Sequence, residues 1–173
     1  MPFEIRPAEP AEFPIVGDLC VAAYAPFLLG DRDHYIGALR DVARRAAEAE
    51  VLVAADPDGA ILGTVTYVPD GGPMGEIAGP SEAEFRMLAV DPAAQGRGVG
   101  ATLLRRVLDE SRREGKDGVV CSSLREMVAA HRIYRRMGFW RAPERDWSPV
   151  AGVDLISFVR PLHHRALDAR VVG

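Results

Sequence analysis

LAVDPAAQGRGVGATLLRRVLDE, residues 88–110, carries an apolar strand into a helix across a turn holding glycines at 96 and 98 and a third at 100. A helix begins with backbone N–H groups that no intrahelical carbonyl can satisfy. They carry partial positive charge, so an anion laid against them is favoured. Glycines clear side chains from its path and permit the positive φ angles that curl successive N–H groups into a nest. Arg97 adds a full charge at the same place. A tight connection that needs glycine only for the turn is the plainer reading, yet three glycines in six residues at a strand-to-helix junction favour an anion. The P-loop pattern is absent, since no Gly-Lys followed by Ser or Thr occurs. A dinucleotide turn is the fairer rival, because Gly96, Gly98 and Ala101 satisfy GxGxxA; against it, the next strand ends CSSL, without the acidic residue that grips a ribose.

Outward from this turn the periodicities alternate. FEIR (3–6) reads as a strand, 11–24 as a helix with Pro14 in its first turn, and 35–49 as a further helix. VLVAAD (51–56), PDG and AILGTVTYV (60–68) form a hairpin. Residues 69–80 are a loop, 84–90 a strand, about 98–114 a helix, 118–122 a strand and about 126–137 a helix. FWRA and 154–160 close as strands. This order predicts an α+β fold on a mixed sheet.

The 173 residues suffice for one domain, read as 1–160, with 161–173 as a tail or a dimer contact. Twenty-one basic against 25 acidic residues, net −4, argue against a nucleic-acid binder. No apolar run approaches the roughly eighteen residues that span a bilayer, and MPFEIRP lacks the form of a secretion signal, so a soluble, cytoplasmic protein without membrane partners is expected. Cys20 and Cys121 lie in apolar segments and read as buried thiols. No metal site is expected: HExxH and CxxC are missing, and His163 and His164 are adjacent.

The spacing QxxGxG at 95–100, after the strand LAV and a DP turn, resembles the acyl-CoA motif of the GNAT (Gcn5-related N-acetyltransferase) superfamily. AAHRIYRRMGF (129–139) resembles that family's second signature, a helix with a tyrosine before a GF that opens a strand. The resemblance implies an α/β/α layered fold with about seven mostly antiparallel strands, and transfer of an acetyl group from acetyl-CoA to a primary amine. It implies that N–H groups of Gln95, Gly96, Arg97, Gly98, Val99, Gly100 and Ala101 hold the CoA pyrophosphate, while Leu88, Ala89 and Val90 pair edgewise with the pantetheine arm. Many members carry asparagine seven residues before the tyrosine; this chain has Met127. A non-catalytic acyl-CoA sensor is the alternative class.

Attack on a thioester needs a neutral amine, a stabilised oxyanion and a leaving thiolate. Glu84 stands eleven residues before Gln95, where the resemblance places a base in histone-acetylating members. Strand alternation would set it on one side with Arg86, Leu88 and Val90, and Arg86 would then lower its pKa. A water relay to Glu82 or His34 is the other route. Tyr134 matches the family's hydroxyl near the leaving sulfur, and His131, one turn earlier, is expected to pack or meet solvent. For the acceptor, 25–35 and 141–152 are the bounding segments that the resemblance implies. Phe27, Tyr35 and Trp147 are candidate wall residues, and acids at 31, 33, 82, 84, 144 and 146 nearly cancel arginines at 32, 86, 141 and 145. The acceptor is therefore left open as a small-molecule or peptide amine.

Overall fold

The computed structural model describes residues 2–162. The strands are β1 (Glu4–Pro7), β2 (Glu50–Ala55), β3 (Ile61–Val68), β4 (Glu82–Val90), β5 (Gly118–Leu124), β6 (Trp140–Arg141), β7 (Trp147–Val150) and β8 (Val153–Pro161). The helices are α1 (Phe13–Tyr24), α2 (Tyr35–Arg40), α3 (Val42–Glu48), α4 (Val99–Arg113) and α5 (Val128–Arg136). The sheet runs β1-β2-β3-β4-β5-β8-β6, with β7 also paired to β8. It has eight strands against about seven expected, because β7 forms within the stretch 141–152 that the sequence reads as an irregular segment. Among the described residues only β4 and β5 pair in parallel; the other pairings are antiparallel.

Helices cover both faces, which explains the unbroken apolar run of β2. Leu52 and Ala54 point into the core beneath α4, and Val51, Val53 and Ala55 into the core beneath α1–α3. A strand buried on both sides has no polar face to alternate with. Helix α4 buries Val99, Gly100, Leu103, Leu104, Val107 and Leu108, an i, i+3/i+4 stripe. Full burial of each leucine is worth about 1.5–3 kcal/mol. The helix expected over 35–49 is two helices. Asp41 leaves helical geometry (φ −82°, ψ 62°), and its carboxylate accepts the Arg44 amide, so it caps α3 rather than continuing α2. Beyond Leu162, the expected tail and His163 and His164 lie outside the described residues.

Candidate active site

The glycine turn is built by local bonds. Asp91 accepts the Ala93 amide at 2.8 Å across the single 3₁₀ turn Pro92–Ala94, and Gln95 is extended. Gly96 (φ 80°) and Gly98 (φ 77°) then take left-handed backbone that a side chain would strain. The first α4 amide with a carbonyl partner is that of Thr102, which donates to Gly98 O at 3.0 Å. Those of Val99, Gly100 and Ala101 find no acceptor among the described residues. Gln95, Gly96 and Arg97 are exposed, and Arg97 joins no ion pair among the described residues. Gly100 serves otherwise than the sequence suggests. It does not take positive φ; a Cβ there would sit 3.1 Å from Ile133 Cδ1 and 3.5 Å from Val90 Cγ2, so its smallness lets α5 and β4 approach α4.

Next to the turn the sheet forks. β4 and β5 pair only through Glu82↔Gly118, Ala83↔Val119 and Glu84↔Val120. Beyond this point β5 stays with β8 through Leu124↔Leu155, and β4 stays with β3 through Val90↔Gly63. The β5-facing edge of β4 from Arg86 through Leu88, Ala89 and Val90 is therefore unpaired within the described sheet. A bulge lies within this stretch of β4: the β3–β4 register shifts between Thr64 and Thr66, and Met87 carries φ 52°, the one non-glycine residue with positive φ among those described. The bulge reverses the alternation expected from sequence. Ala83 and Phe85 face the α4 core together with Leu88 and Val90, whereas Met87 and Ala89 face the α1 core. Glu84 and Arg86 thus lie on the face opposite Leu88 and Val90, not beside them.

Tyr134, on α5, is 4% exposed and packs edge-on against Phe85 (5.5 Å) and Phe158 (5.3 Å) at the base of the fork. Burial, with the neighbouring Cys121, pushes its phenol well above the ordinary value, against the opposing influence of the nearby Ser123 hydroxyl. The Ser123 hydroxyl lies 3.0 Å from His131 Nε2 and 3.6 Å from Met127 Sδ. The methionine thus occupies, weakly, a place where an amide would hydrogen-bond more strongly. His131 is buried against Phe158 and does not meet solvent; burial lowers its pKa.

Glu84 is fully buried. Its Oε2 accepts the amides of Glu76 (2.8 Å), Ile77 (3.3 Å) and Ala78 (3.3 Å), while Oε1 has no partner among the described residues. Burial raises its pKa despite those three amides and despite Arg86, which reverses the expectation from sequence. Arg86 is turned instead to Glu76 (2.9 Å) and to Met74 O (3.2 Å). Burial likewise raises the Glu76 carboxyl. Glu82 is a poor proton acceptor: Arg145 grips both its oxygens at 2.7 Å and holds its pKa down. His34 is exposed before α2.

The three acceptor-wall candidates make separate contacts. Tyr35 stacks at 6.0 Å on Tyr24, whose phenol is raised by burial and by the phenols of Tyr35 and Tyr134. Trp147 Nε1 donates to Ser122 Oγ at 3.0 Å, Phe27 is partly buried, and among the described residues no ring stacking joins Phe27, Tyr35 and Trp147. Of the charges that nearly cancel in sequence, four pair with one another in space, Arg145 with Glu82 and Arg141 with Asp146 (2.8 Å), while Arg86 pairs with Glu76. Sequence reasoning missed Glu76, Tyr24 and Ser123. Tyr24 was visible only as the last turn of an apolar helix, and Glu76 had no signal within a glycine-rich loop. Both cysteines are buried and free. Among the described residues no cluster of three or more metal-ligating side chains occurs, and no helix is long and apolar enough to cross a membrane.

A mixed sheet forked at its one parallel pair, with a glycine turn opening a helix beside the fork, defines the acetyltransferase fold of the GNAT type. The family model described as "Acetyltransferase (GNAT) family" matches residues 18–139, and the chain belongs to that family. It is 41% identical over 83 residues to the N-alpha-acetyltransferase RimI of Mycobacterium tuberculosis, covering 47% of this chain and 50% of that protein. It is 35% identical over 111 residues to the mycothiol acetyltransferase of Nocardia farcinica, covering 58% of this chain and 34% of that protein. The chain thus spans half or less of the length of these two relatives. Among solved structures, yncA from Salmonella typhimurium with its cofactor acetyl-CoA superposes with a TM-score of 0.66 at 24% identity, over 94% of this chain and 95% of that one.

Proposed function

We propose that the chain transfers an acetyl group from acetyl-CoA to a primary amine by direct attack through a tetrahedral intermediate. The observation that carries this reading is the continuity of two unsatisfied backbone arrays. The unpaired edge of β4 from Arg86 to Val90 runs into the turn whose Val99, Gly100 and Ala101 amides lack acceptors. The first array suits an extended chain bearing amides, and the second an anion of the pyrophosphate kind. The acetyl-CoA bound to yncA supports the same cosubstrate.

An alkyl amine with a pKa of about 10.4 costs roughly 4–5 kcal/mol to neutralise at pH 7. Glu84, with its raised pKa and its unpartnered Oε1, takes that proton. Its complete burial requires an intervening water. Tyr134 supports the leaving sulfur by donating a hydrogen bond. Even at ordinary values a phenol near 10 gives its proton to a thiolate near 8.5 at a cost of about 2 kcal/mol, and the upward shift of Tyr134 makes full transfer harder. A non-catalytic acyl-CoA sensor is the second reading, and the burial of Glu84 is the observation in its favour.

Incubation with acetyl-CoA and a panel of amines, followed by free-thiol release, tests the proposal. Release with at least one amine is expected. Binding of acetyl-CoA without release for any amine would establish the sensor.

A further inference from the structure

Between α2, α3 and β4, on the face opposite the glycine turn, lies a cavity of about 170 Å³. Arg44, Arg45 and Arg86 line it together with Asp41, Met74 and Met87. Its floor on β4 is the bulge itself, so it borders the fork. At roughly 30 Å³ per water it has room for several waters or one small anionic group.

The charges around it are unequally paired. Arg86 is neutralised by Glu76 at 2.9 Å, and Arg44 meets Glu48 at 3.5 Å. Asp41 also lines the cavity; its carboxylate caps α3 and makes no ion pair among the described residues. Arg45 is 2% exposed and has no carboxylate within ion-pair distance among the described residues. Its guanidinium donates to Ala38 O (2.7 Å) and Leu39 O (2.9 Å) and lies 3.6 Å from Cys20 Sγ, while Nε has no partner. Burying a guanidinium is costly and ordinarily requires a counter-charge. Two carbonyls offset part of that cost and leave the guanidinium without a direct ion-pair partner among the described residues.

We infer that this cavity binds the carboxylate of the acceptor, so that the substrate class is an amine bearing a carboxylate group, of the amino-acid kind. This rests on the acetyl-transfer reading and narrows it. A carboxylate is planar and matches the guanidinium fork, which accounts for arginines where an ammonium would serve a mere point charge. The Tyr24–Tyr35 pair and Glu76 then flank the chain that joins the carboxylate to the amine at the fork. A polycationic acceptor would meet repulsion here. A free amino acid and an acidic side chain near a peptide N-terminus present the same group, and the experiment separates them.

Thiol release from acetyl-CoA is measured for L-amino acids against their carboxamides, and for amidated dipeptides with Glu or Gln in the second position. The expected result is a kcat/KM ten- to a hundredfold higher for the carboxylate member of a pair, with the preference lost in Arg45→Gln and reduced in Arg86→Gln. Preference within the amino-acid pairs identifies a free amino acid; preference within the dipeptides identifies the peptide. Because Arg45→Gln also removes two hydrogen bonds from a buried side chain, the wild-type melting temperature is recorded as well, with each amino acid and its carboxamide at fixed ionic strength. A rise with the carboxylate alone supports the site. Equal turnover of charged and neutral members overturns the inference and leaves acetyl transfer standing. If no amine releases thiol although acetyl-CoA binds, the transferase reading fails, and the melting pairs alone decide whether the cavity takes a carboxylate. Stabilisation by inorganic phosphate but by no carboxylate overturns the assigned class.

Discussion

The two faces of the sheet leave different kinds of group unsatisfied. Beneath α4 they are main-chain amides, those of Val99, Gly100 and Ala101. Beneath α1–α3 they are buried side-chain atoms, Arg45 Nε and Glu84 Oε1. Backbone donors are set by φ and ψ alone, so one short run of glycines creates them, and the surrounding side chains are free to vary. Side-chain groups depend on being driven into the core by other elements, as Arg45 is by the adjoining α2 and the more distant α1. Under the proposed reading, one face would suit a constant cosubstrate and the other would be tuned to the acceptor.

The largest effect expected is at the junction of the two faces. Tyr134→Phe should lower turnover ten- to a thousandfold and leave CoA affinity within a few-fold, as judged by steady-state kinetics beside calorimetric titration. Turnover equal to wild type would remove the hydroxyl from the chemistry. Next, on the backbone face, Gly98→Val forces a β-branched residue into φ 77°, which costs about 1–2 kcal/mol. A Cβ there meets nothing within 4 Å, so the fold survives with a melting temperature lower by several degrees. CoA affinity should fall about a hundredfold. Undiminished affinity would mean that the turn holds no anion.

These faces were unequally legible in sequence. The hairpin β2–β3, the parallel unit β4–α4–β5 and the glycine turn followed from periodicity and from residues with one strong conformational preference. The bulge at Met87 did not, because nothing about methionine announces positive φ; one hidden residue was enough to put Glu84 and Leu88 on opposite faces. The break at Asp41 was concealed within an alanine- and arginine-rich run whose composition favours helix throughout. The strand Trp147–Val150 was masked by Pro149, which is tolerated because it lies on an edge. The charge balance of the segments expected to bound the acceptor could be counted but not paired, since Arg86–Glu76 and Arg145–Glu82 join residues whose proximity is decided by the loops around β4.

A smaller effect sharpens the side-chain face. Burial holds the Glu84 carboxyl above its ordinary value of about 4.3. Between that value and the raised one, the native chain retains a proton that the unfolded chain has released. The contribution to stability is therefore full below the ordinary value and is lost as pH rises through the raised one. Glu84→Gln cannot titrate. Urea melts from pH 4 to 7 should show wild-type stability declining relative to the variant as pH rises, by at most about 1.4 kcal/mol per pH unit. A relative stability that rose with pH would mean that the three amides on Oε2 outweigh burial.

The smallest effect concerns the Glu82–Arg145 pair, which ties the segment before β7 to the first residue of β4, where the fork's parallel pairing begins. Both guanidinium contacts are 2.7 Å, but the side chains are 15% and 32% exposed, so solvent screening limits the coupling to about 1 kcal/mol. A double-mutant cycle with Glu82→Gln and Arg145→Met measures it. Because Arg145 lowers the Glu82 pKa, the contribution is present above the unfolded value and should fade as pH drops through the lowered one, opposite in sign to Glu84. Zero coupling would assign the segment's position to its other anchors, the Arg141–Asp146 pair and the Ser157 amide donated to Asp146 at 2.8 Å. The opposed pH slopes of two glutamates two residues apart on β4 then report separately on burial and on pairing.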